Sequence, residues 1–185
     1  MKKLTLSLIA IATMMSSSAF ADIDYGLEVG IRQQSGDVNS PGTTDSQMGL
    51  QFGATANFPI AGPVHLRTGM LYTQRPLVVK PNGGGAETKY TMNYLDVPVA
   101  LLYKFEEYAG VYAGVSLAMN LDKSADNGAT INDVKSPLIP FLIGASFKFA
   151  PNLGANLYFE SASGEAAKGL KNYRAIGANL QITFD

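Results

Sequence analysis

Apolar residues alternate with small or polar residues along most of this chain, and the final segment, RAIGANLQITFD, shows the pattern most clearly. Every second position in it is apolar: Ile176, Ala178, Leu180, Ile182 and Phe184. Alternation with a period of two predicts a β-strand with one apolar face. A soluble protein would bury that face against a second layer, whereas a membrane barrel would turn it toward lipid. The remaining segments must decide between the two.

Seven earlier segments alternate in the same way. The eight predicted strands cover residues 24–32, 48–58, 64–72, 91–105, 110–121, 139–149, 153–160 and 175–184. In each strand one set of alternate positions can be assigned as outward and apolar, and Thr68 is the only polar residue of that set. A continuous apolar exterior on every strand is typical of transmembrane β-barrels.

The opposite set of positions holds the charged residues. We predict that Glu28, Arg67, Arg75, Asp96 and Glu160 point into one lumen, with Arg75 and Asp96 on adjacent strands at similar heights. These charges could line a conduit for small solutes, or they could pair with one another in a packed core. Eight strands leave a lumen that side chains fill, and an isolated buried charge is costly. The sequence therefore favours a paired core.

The connections between the predicted strands alternate strictly in length. Those after the second, fourth and sixth strands are short (PIAGP, EEYA and APN), whereas the others are long and polar (SGDVNSPGTTDS, KPNGGGAETK, DKSADNGATINDVKSP and SGEAAKGLKN). Outer-membrane barrels combine short periplasmic turns with long extracellular loops. We therefore predict an all-β fold, an eight-stranded antiparallel up-and-down transmembrane β-barrel with both termini in the periplasm. A soluble lipocalin-like ligand-binding barrel is the alternative fold.

Aromatic residues are concentrated at the short-turn ends of the predicted strands. Membrane barrels carry girdles of aromatic side chains where the apolar belt meets water. The predicted membrane-interface girdle consists of Tyr25, Phe58, Tyr103, Phe105, Phe149 and Phe184.

The N-terminal stretch MKKLTLSLIAIATMMSSSAFA has two lysines, an apolar run and a small-x-small ending at Ala21. This is the pattern of a secretory signal peptide. We predict a signal peptide over residues 1–21 and an outer-membrane barrel over residues 22–185, with export to the outer membrane. The chain contains no cysteine, which excludes disulfides and thiolate metal sites.

Composition agrees with the membrane prediction and limits the possible functions. Hydrophobic residues make up 46% of the chain and charged residues 16%, against roughly 25% charged residues in soluble domains. Without Lys2 and Lys3 the net charge of −1 becomes −3. Nucleic-acid binding needs a concentrated basic face. We therefore predict no nucleic-acid partner and no cofactor.

Two features partly match a catalytic site or a metal site, but both have a simpler interpretation. His65 is the single histidine, and a lipid hydrolase would need it near the outer leaflet, whereas the loop pattern places it beside a periplasmic turn. Residues 122–133 (DKSADNGATIND) partly match a calcium loop, but Asn127 stands where the invariant glycine belongs. We expect a turn-proximal histidine and a solvated loop.

Three segments carry a resemblance to known barrel families. NLQITFD resembles the C-terminal strand that the bacterial barrel-assembly machinery reads, although here Asp185 follows Phe184. NYLDVPVALLYKF (93–105) and RTGMLYTQR (67–75) resemble strands of the PorT-like outer-membrane β-barrel family, and the overall size is similar to small OmpX/OmpA-type barrels. The resemblance implies a membrane barrel and leaves the function open.

Two prolines lie inside predicted strands. Proline lacks the N–H that a closed barrel would pair, so we predict that Pro98 and Pro140 occupy bulges or strand ends and face the lumen.

The sequence predicts a non-enzymatic integral membrane protein with a structural or surface-interaction role. A narrow channel for small solutes is the alternative. The expected partners are outer-membrane lipid, the barrel-assembly machinery during insertion, and an unidentified partner of the extracellular loops.

Overall fold

The computed structural model describes residues 23–39, 42–83 and 85–184. The predicted signal peptide therefore lies outside the described residues. Within the described ranges there is no helix long and apolar enough to cross a membrane.

Eight antiparallel strands close into a barrel in which each strand pairs with its neighbours in chain order. They are β1 (Asp24–Val38), β2 (Gly42–Ala61), β3 (Val64–Pro81), β4 (Thr88–Glu106), β5 (Ala109–Ala125), β6 (Phe141–Ala150), β7 (Leu153–Ala167) and β8 (Leu170–Phe184). The first and last strands close the barrel, with Tyr25 opposite Phe184 and Ile31 opposite Ala178. The predicted eight-stranded up-and-down barrel is confirmed.

The strands are longer than predicted at the end where long loops were expected. The polar segments of β1, β2, β3, β7 and β8 continue the ladder beyond the apolar belt, as in the pairing of Asp37 with Lys171 and of Asp45 with Val78. Polar residues can extend a strand once its backbone groups have partners. The prediction of long loops was therefore wrong for three of the four connections, and only residues 126–140 form a long one.

The two faces of the wall differ as the alternation predicts. The outward side chains are exposed and apolar along every strand, for example Leu27, Met70, Leu101 and Leu180 at 51%, 66%, 58% and 61% exposure. A water-soluble barrel would not leave so large an apolar surface uncovered. This exterior is suited to hydrocarbon.

The connection between β5 and β6 turns inward rather than into solvent. Strand β6 is short, so the part of β5 that follows Val115 has no partner in β6. An isolated bridge joins Ala118 of β5 to Leu138 of the connection instead. Loop residues Ile131 and Leu138 are buried among the strand ends. Together they form an apolar cap over this end of the barrel, whose other buried members are Leu77, Met92, Tyr94, Ala118, Ala162, Ala166, Ala167, Leu170 and Tyr173.

Both prolines occupy positions that do not need an N–H. Pro98 is buried on the inner face of β4, and the β3–β4 pairing is interrupted there, between the Thr68–Val99 and Leu71–Asp96 pairs. Pro140 is buried just before β6 begins and accepts a backbone hydrogen bond from Ser116.

Candidate functional site

The lumen holds two layers of buried charge, and the larger is built around Arg75. Its guanidinium donates two parallel hydrogen bonds of 3.0 Å to the Asp96 carboxylate and a third of 2.8 Å to Glu160. Arg32 donates to the same Glu160 at 2.9 Å and to Gln34 at 2.9 Å. These contacts join strands β1, β3, β4 and β7 across the lumen. We call this set of side chains the upper ion layer; it consists of Arg32, Gln34, Arg75, Asp96 and Glu160.

The aromatic ring of Tyr94 covers one face of this layer. The guanidinium carbon of Arg75 lies 4.7 Å from the ring centroid, within the range of a cation–π contact. Tyr94 also belongs to the apolar cap, so the upper ion layer lies directly beneath the cap.

A second group, called the lower ion layer, is nearer the end of the barrel at which β1 starts. Arg67 pairs with Glu28, which also accepts from Thr55 at 2.9 Å and from Asn179 at 3.1 Å. Arg67 lies over the ring of Tyr112, 4.9 Å from its centroid. A carboxylate that accepts several hydrogen bonds and faces a cation is well satisfied in a buried setting.

The charges of the two layers balance. Three arginines, Arg32, Arg67 and Arg75, face three carboxylates, and all six side chains are at most 6% exposed. Between the layers lies a cavity of only about 20 Å³. A cavity of this size holds about one water molecule. The lumen is therefore packed rather than open.

Glycines make room for the large side chains that fill the lumen. The Tyr158 ring lies over Gly177 of β8, where an added Cβ would come within 2.2 Å of its Cζ, and Tyr112 covers Gly144 of β6 at 2.4 Å. A side chain at either glycine would therefore force the tyrosine ring to shift. Each glycine allows a tyrosine of the adjacent strand to lie against the inner wall of the barrel.

At the end of the barrel where β1 starts, the interior opens to solvent. A cavity of about 300 Å³ lies there, lined by Asp24, Lys104 and the β4–β5 turn. The ammonium of Lys104 donates to Asp24 at 2.5 Å, and both side chains are about 30% exposed. This cavity ends at the packed lumen and does not continue through it.

The predicted lumen residues are all buried on the inner face, but they fall into two layers. Asp96, Arg75 and Glu160 form the upper ion layer, whereas Glu28 and Arg67 form the lower one. The sequence analysis missed Arg32. This residue is four positions after Glu28 on the same strand and therefore shares its inward face, so the alternation could have identified it. It also missed the apolar cap, because the residues of the β5–β6 loop have no strand periodicity.

The predicted girdle residues lie on the outer surface, at the end of the barrel that carries the β2–β3, β4–β5 and β6–β7 turns. Five of the six side chains are between 48% exposed, for Tyr25, and 63% exposed, for Phe149. The sixth, Phe58, is half-buried. Tyr108 in the β4–β5 turn and Ile60 near the end of β2, at 61% and 57% exposure, extend the same surface.

The two weaker candidates lie apart from the ion layers. His65 is on β3 next to the β2–β3 turn, where its Nδ1 lies 3.2 Å from the Pro63 carbonyl oxygen. Asp122 and Ser124 lie in strand β5 rather than in a loop. Within the described part of the chain, no group of three or more histidine, aspartate or glutamate side chains is arranged to hold a metal ion.

Several charges beyond the apolar belt are exposed and paired. Lys80 contacts Asp45 at 2.6 Å and Glu87 at 3.2 Å, and these hydrogen bonds, first that to Asp45, raise the pKa of its ammonium. Arg174 lies 3.7 Å from Asp37. These pairs link neighbouring strand ends at the rim of the barrel that carries the cap.

An apolar exterior, a closed ring of eight strands and a lumen filled by ion pairs define a small transmembrane β-barrel. The sequence matches the family model described as outer membrane protein beta-barrel domain over residues 15–182. The chain belongs to this family, which implies location in the outer membrane. A soluble lipocalin-like barrel, the alternative fold, is therefore wrong. No curated protein matches the sequence.

Solved structures with the same fold include two small membrane barrels. Neisserial surface protein A is 18% identical over 88% of this chain and 97% of its own, with a TM-score of 0.52. The outer membrane protein AlkL, determined in lipid bilayers, is 11% identical over 92% of this chain and 94% of its own, with a TM-score of 0.52. At these identities the likeness concerns the fold alone.

Proposed function

We propose that this protein is a non-enzymatic structural barrel of the outer membrane, which presents its extended extracellular strands and cap for surface interaction. The observation that carries the proposal is the packed lumen. Two balanced ion layers span the interior, and about 20 Å³ of free volume remains between them.

The apolar cap supports the same proposal. It closes the extracellular end with Leu138 and Ile131 from the β5–β6 loop, and backbone hydrogen bonds hold the loop in place. Ala118 and Leu138 exchange two backbone hydrogen bonds of 2.8 Å, and the Lys135 N–H donates to the Ala166 carbonyl at 2.8 Å. A solute would have to displace both the cap and the ion layers to pass.

The competing function is a narrow channel for small solutes. Its support is the row of charges along the lumen and the open cavity at the end of the barrel opposite the cap. A channel would require the upper ion layer to rearrange, because Arg75 bridges Asp96 and Glu160 across the interior.

Planar-bilayer recording of the purified barrel distinguishes the two functions. We expect no steady conductance in the native protein. The Arg75→Gln variant is compared with Lys80→Gln, which alters an exposed pair at the rim. Discrete conductance in the native protein that changes with Arg75→Gln and not with Lys80→Gln would establish the channel and contradict the structural proposal.

The proposed partners are outer-membrane lipid around the apolar belt, the barrel-assembly machinery during insertion, and a molecule that contacts the extracellular strand ends. The last part of the C-terminal strand, from Ile176 to Phe184, supports the second of these, because its outward residues are all apolar. Export by the N-terminal signal and the narrower PorT-like membership remain predictions from the sequence.

A further inference from the structure

A pocket of about 340 Å³ opens at the extracellular end of the barrel, beside the cap. Its apolar wall comes from four strand ends and one connection: Val38, Val79, Tyr90 and Leu170 lie in strands, and Ile131 lies in the β5–β6 loop. Ile131 and Leu170 are buried members of the cap, and the other three pack against it. The apolar floor of the pocket is therefore part of a packed core and is already formed.

The rim of the pocket is polar and held by the backbone. The Asn39 N–H donates to the Gly169 carbonyl at 2.9 Å, and the Lys168 N–H donates to the Asn132 carbonyl at 3.1 Å. These bonds join the end of β1 to the β7–β8 turn, and that turn to the β5–β6 loop. The rim is thus fixed by three separate segments of the chain.

Lys168 supplies the charge at this rim. Its side chain is exposed, and among the described residues no carboxylate lies within ion-pairing distance of its ammonium. The nearby Glu165 carboxylate accepts from the Asn39 side chain at 3.2 Å and pairs with Lys171 at 3.8 Å. The pocket therefore offers one unpaired cation next to an apolar floor.

We propose that this pocket binds a free medium-chain aliphatic carboxylate, with the chain on the apolar floor and the carboxylate at Lys168. Ligand sites are preformed, mainly apolar cavities of roughly 300–1,000 Å³ with a few polar groups, and they occur at the mouths of β-barrels. The volume here is at the small end of that range, which suits a single short chain. The ligand binds from outside and need not cross the packed lumen.

The test is titration of the barrel in lipid nanodiscs with decanoate, followed by the methyl NMR signals of Val38, Val79, Ile131 and Leu170. We expect saturable shifts of these signals, with weaker binding of decylamine and none of acetate. Lys168→Glu should weaken decanoate binding by roughly threefold or more and strengthen that of decylamine, since one exposed charge contact is exchanged for repulsion.

Lys123→Glu is the matched control, because Lys123 is an exposed extracellular lysine outside the pocket, and it should leave decanoate binding unchanged. A second variant, Val79→Ser, should weaken decanoate and decylamine alike by removing apolar contact.

Three results would overturn the proposal. The methyl signals could fail to shift, or they could shift equally with decanoate and decylamine in the native and Lys168→Glu proteins, which would mean partition into the lipid alone. The pocket could instead take lysophospholipid and exclude decanoate, which would assign it to membrane lipid.

Discussion

Arg75 shows how a single residue organises the interior of this barrel. Its guanidinium satisfies Asp96 through two parallel bonds, contacts Glu160 and lies against the Tyr94 ring. Arginine suits such a position because its planar fork matches a carboxylate and stacks on an aromatic face. Lysine could supply the charge but not this set of contacts.

Replacing Arg75 by methionine should destabilise the barrel strongly. Asp96 would lose its partner and Glu160 would keep only Arg32, and removing one member of a buried ion pair costs about 3–5 kcal/mol. The free energy of unfolding, measured by urea titration in phospholipid vesicles, checks this. Lys80→Met is the control, because the Lys80 pair is solvent-exposed and should contribute little. Equal, small losses in both variants would mean that the lumen is hydrated rather than packed.

At the scale of the element, the short β6 strand explains the cap. Because β6 begins at Phe141 and pairs with β5 only up to Val115, the upper part of β5 would be left with unpaired backbone groups. The β5–β6 loop supplies partners for these groups. The Ser116 N–H donates to the Pro140 carbonyl, and Ala118 and Leu138 exchange two backbone hydrogen bonds. Pairing with the wall thus places the apolar side chain of Leu138 inside the barrel.

Leu138→Ala should loosen the cap without opening the barrel. The lost apolar contact at a buried leucine costs about 2–5 kcal/mol, which favours local release of the loop. We expect faster trypsin cleavage after Lys135 in barrels reconstituted with the extracellular end accessible. Ile139→Ala is the control, because it removes the neighbouring side chain, which is 55% exposed on the outer surface. Trypsin should cleave this variant after Lys135 at the native rate. Unchanged cleavage in Leu138→Ala would show that this leucine does not hold the loop.

The sequence predicted the strands more reliably than their connections. The apolar belt on β8 follows directly from the alternation at Ile176 to Phe184, since in lipid every strand needs the same outward face. The segment around Asp37 and Asp45 has no such periodicity, and it becomes strand only because its backbone finds partners on β8 and β3. Pairing across the chain is a tertiary property that local composition does not encode.

At the scale of the whole molecule, closure accounts for most of what is observed. A membrane-spanning sheet must pair every backbone group internally. Here β1 pairs with β8 along most of its length, from Tyr25 opposite Phe184 to Val38 opposite Leu170. Closure leaves a narrow interior, which the two ion layers and the buried rings of Tyr112 and Tyr158 fill. The exterior alone remains free to contact lipid.

The closed barrel should show heat modifiability. In SDS the unboiled protein from washed outer membranes should migrate faster than the boiled protein, because a barrel without free edges resists the detergent until it is heated. A gel comparing the two treatments is the measurement. A single band at the same position in both lanes, with the protein in the soluble periplasm, would contradict closure in the membrane.

The sequence by itself determined the number of strands, the face each turns to lipid and the set of inward charges that includes Glu28 and Asp96, because a period-two pattern is local and can be read along one strand. The tertiary structure alone decided which charges pair. Arg75 meets Glu160, 85 positions away, and Arg32 meets it from 128 positions away, since barrel closure brings distant strands to opposite sides of one narrow lumen. It also decided that the β5–β6 loop caps the interior, because that position depends on the unpaired edge left by a short β6 rather than on any pattern within the loop.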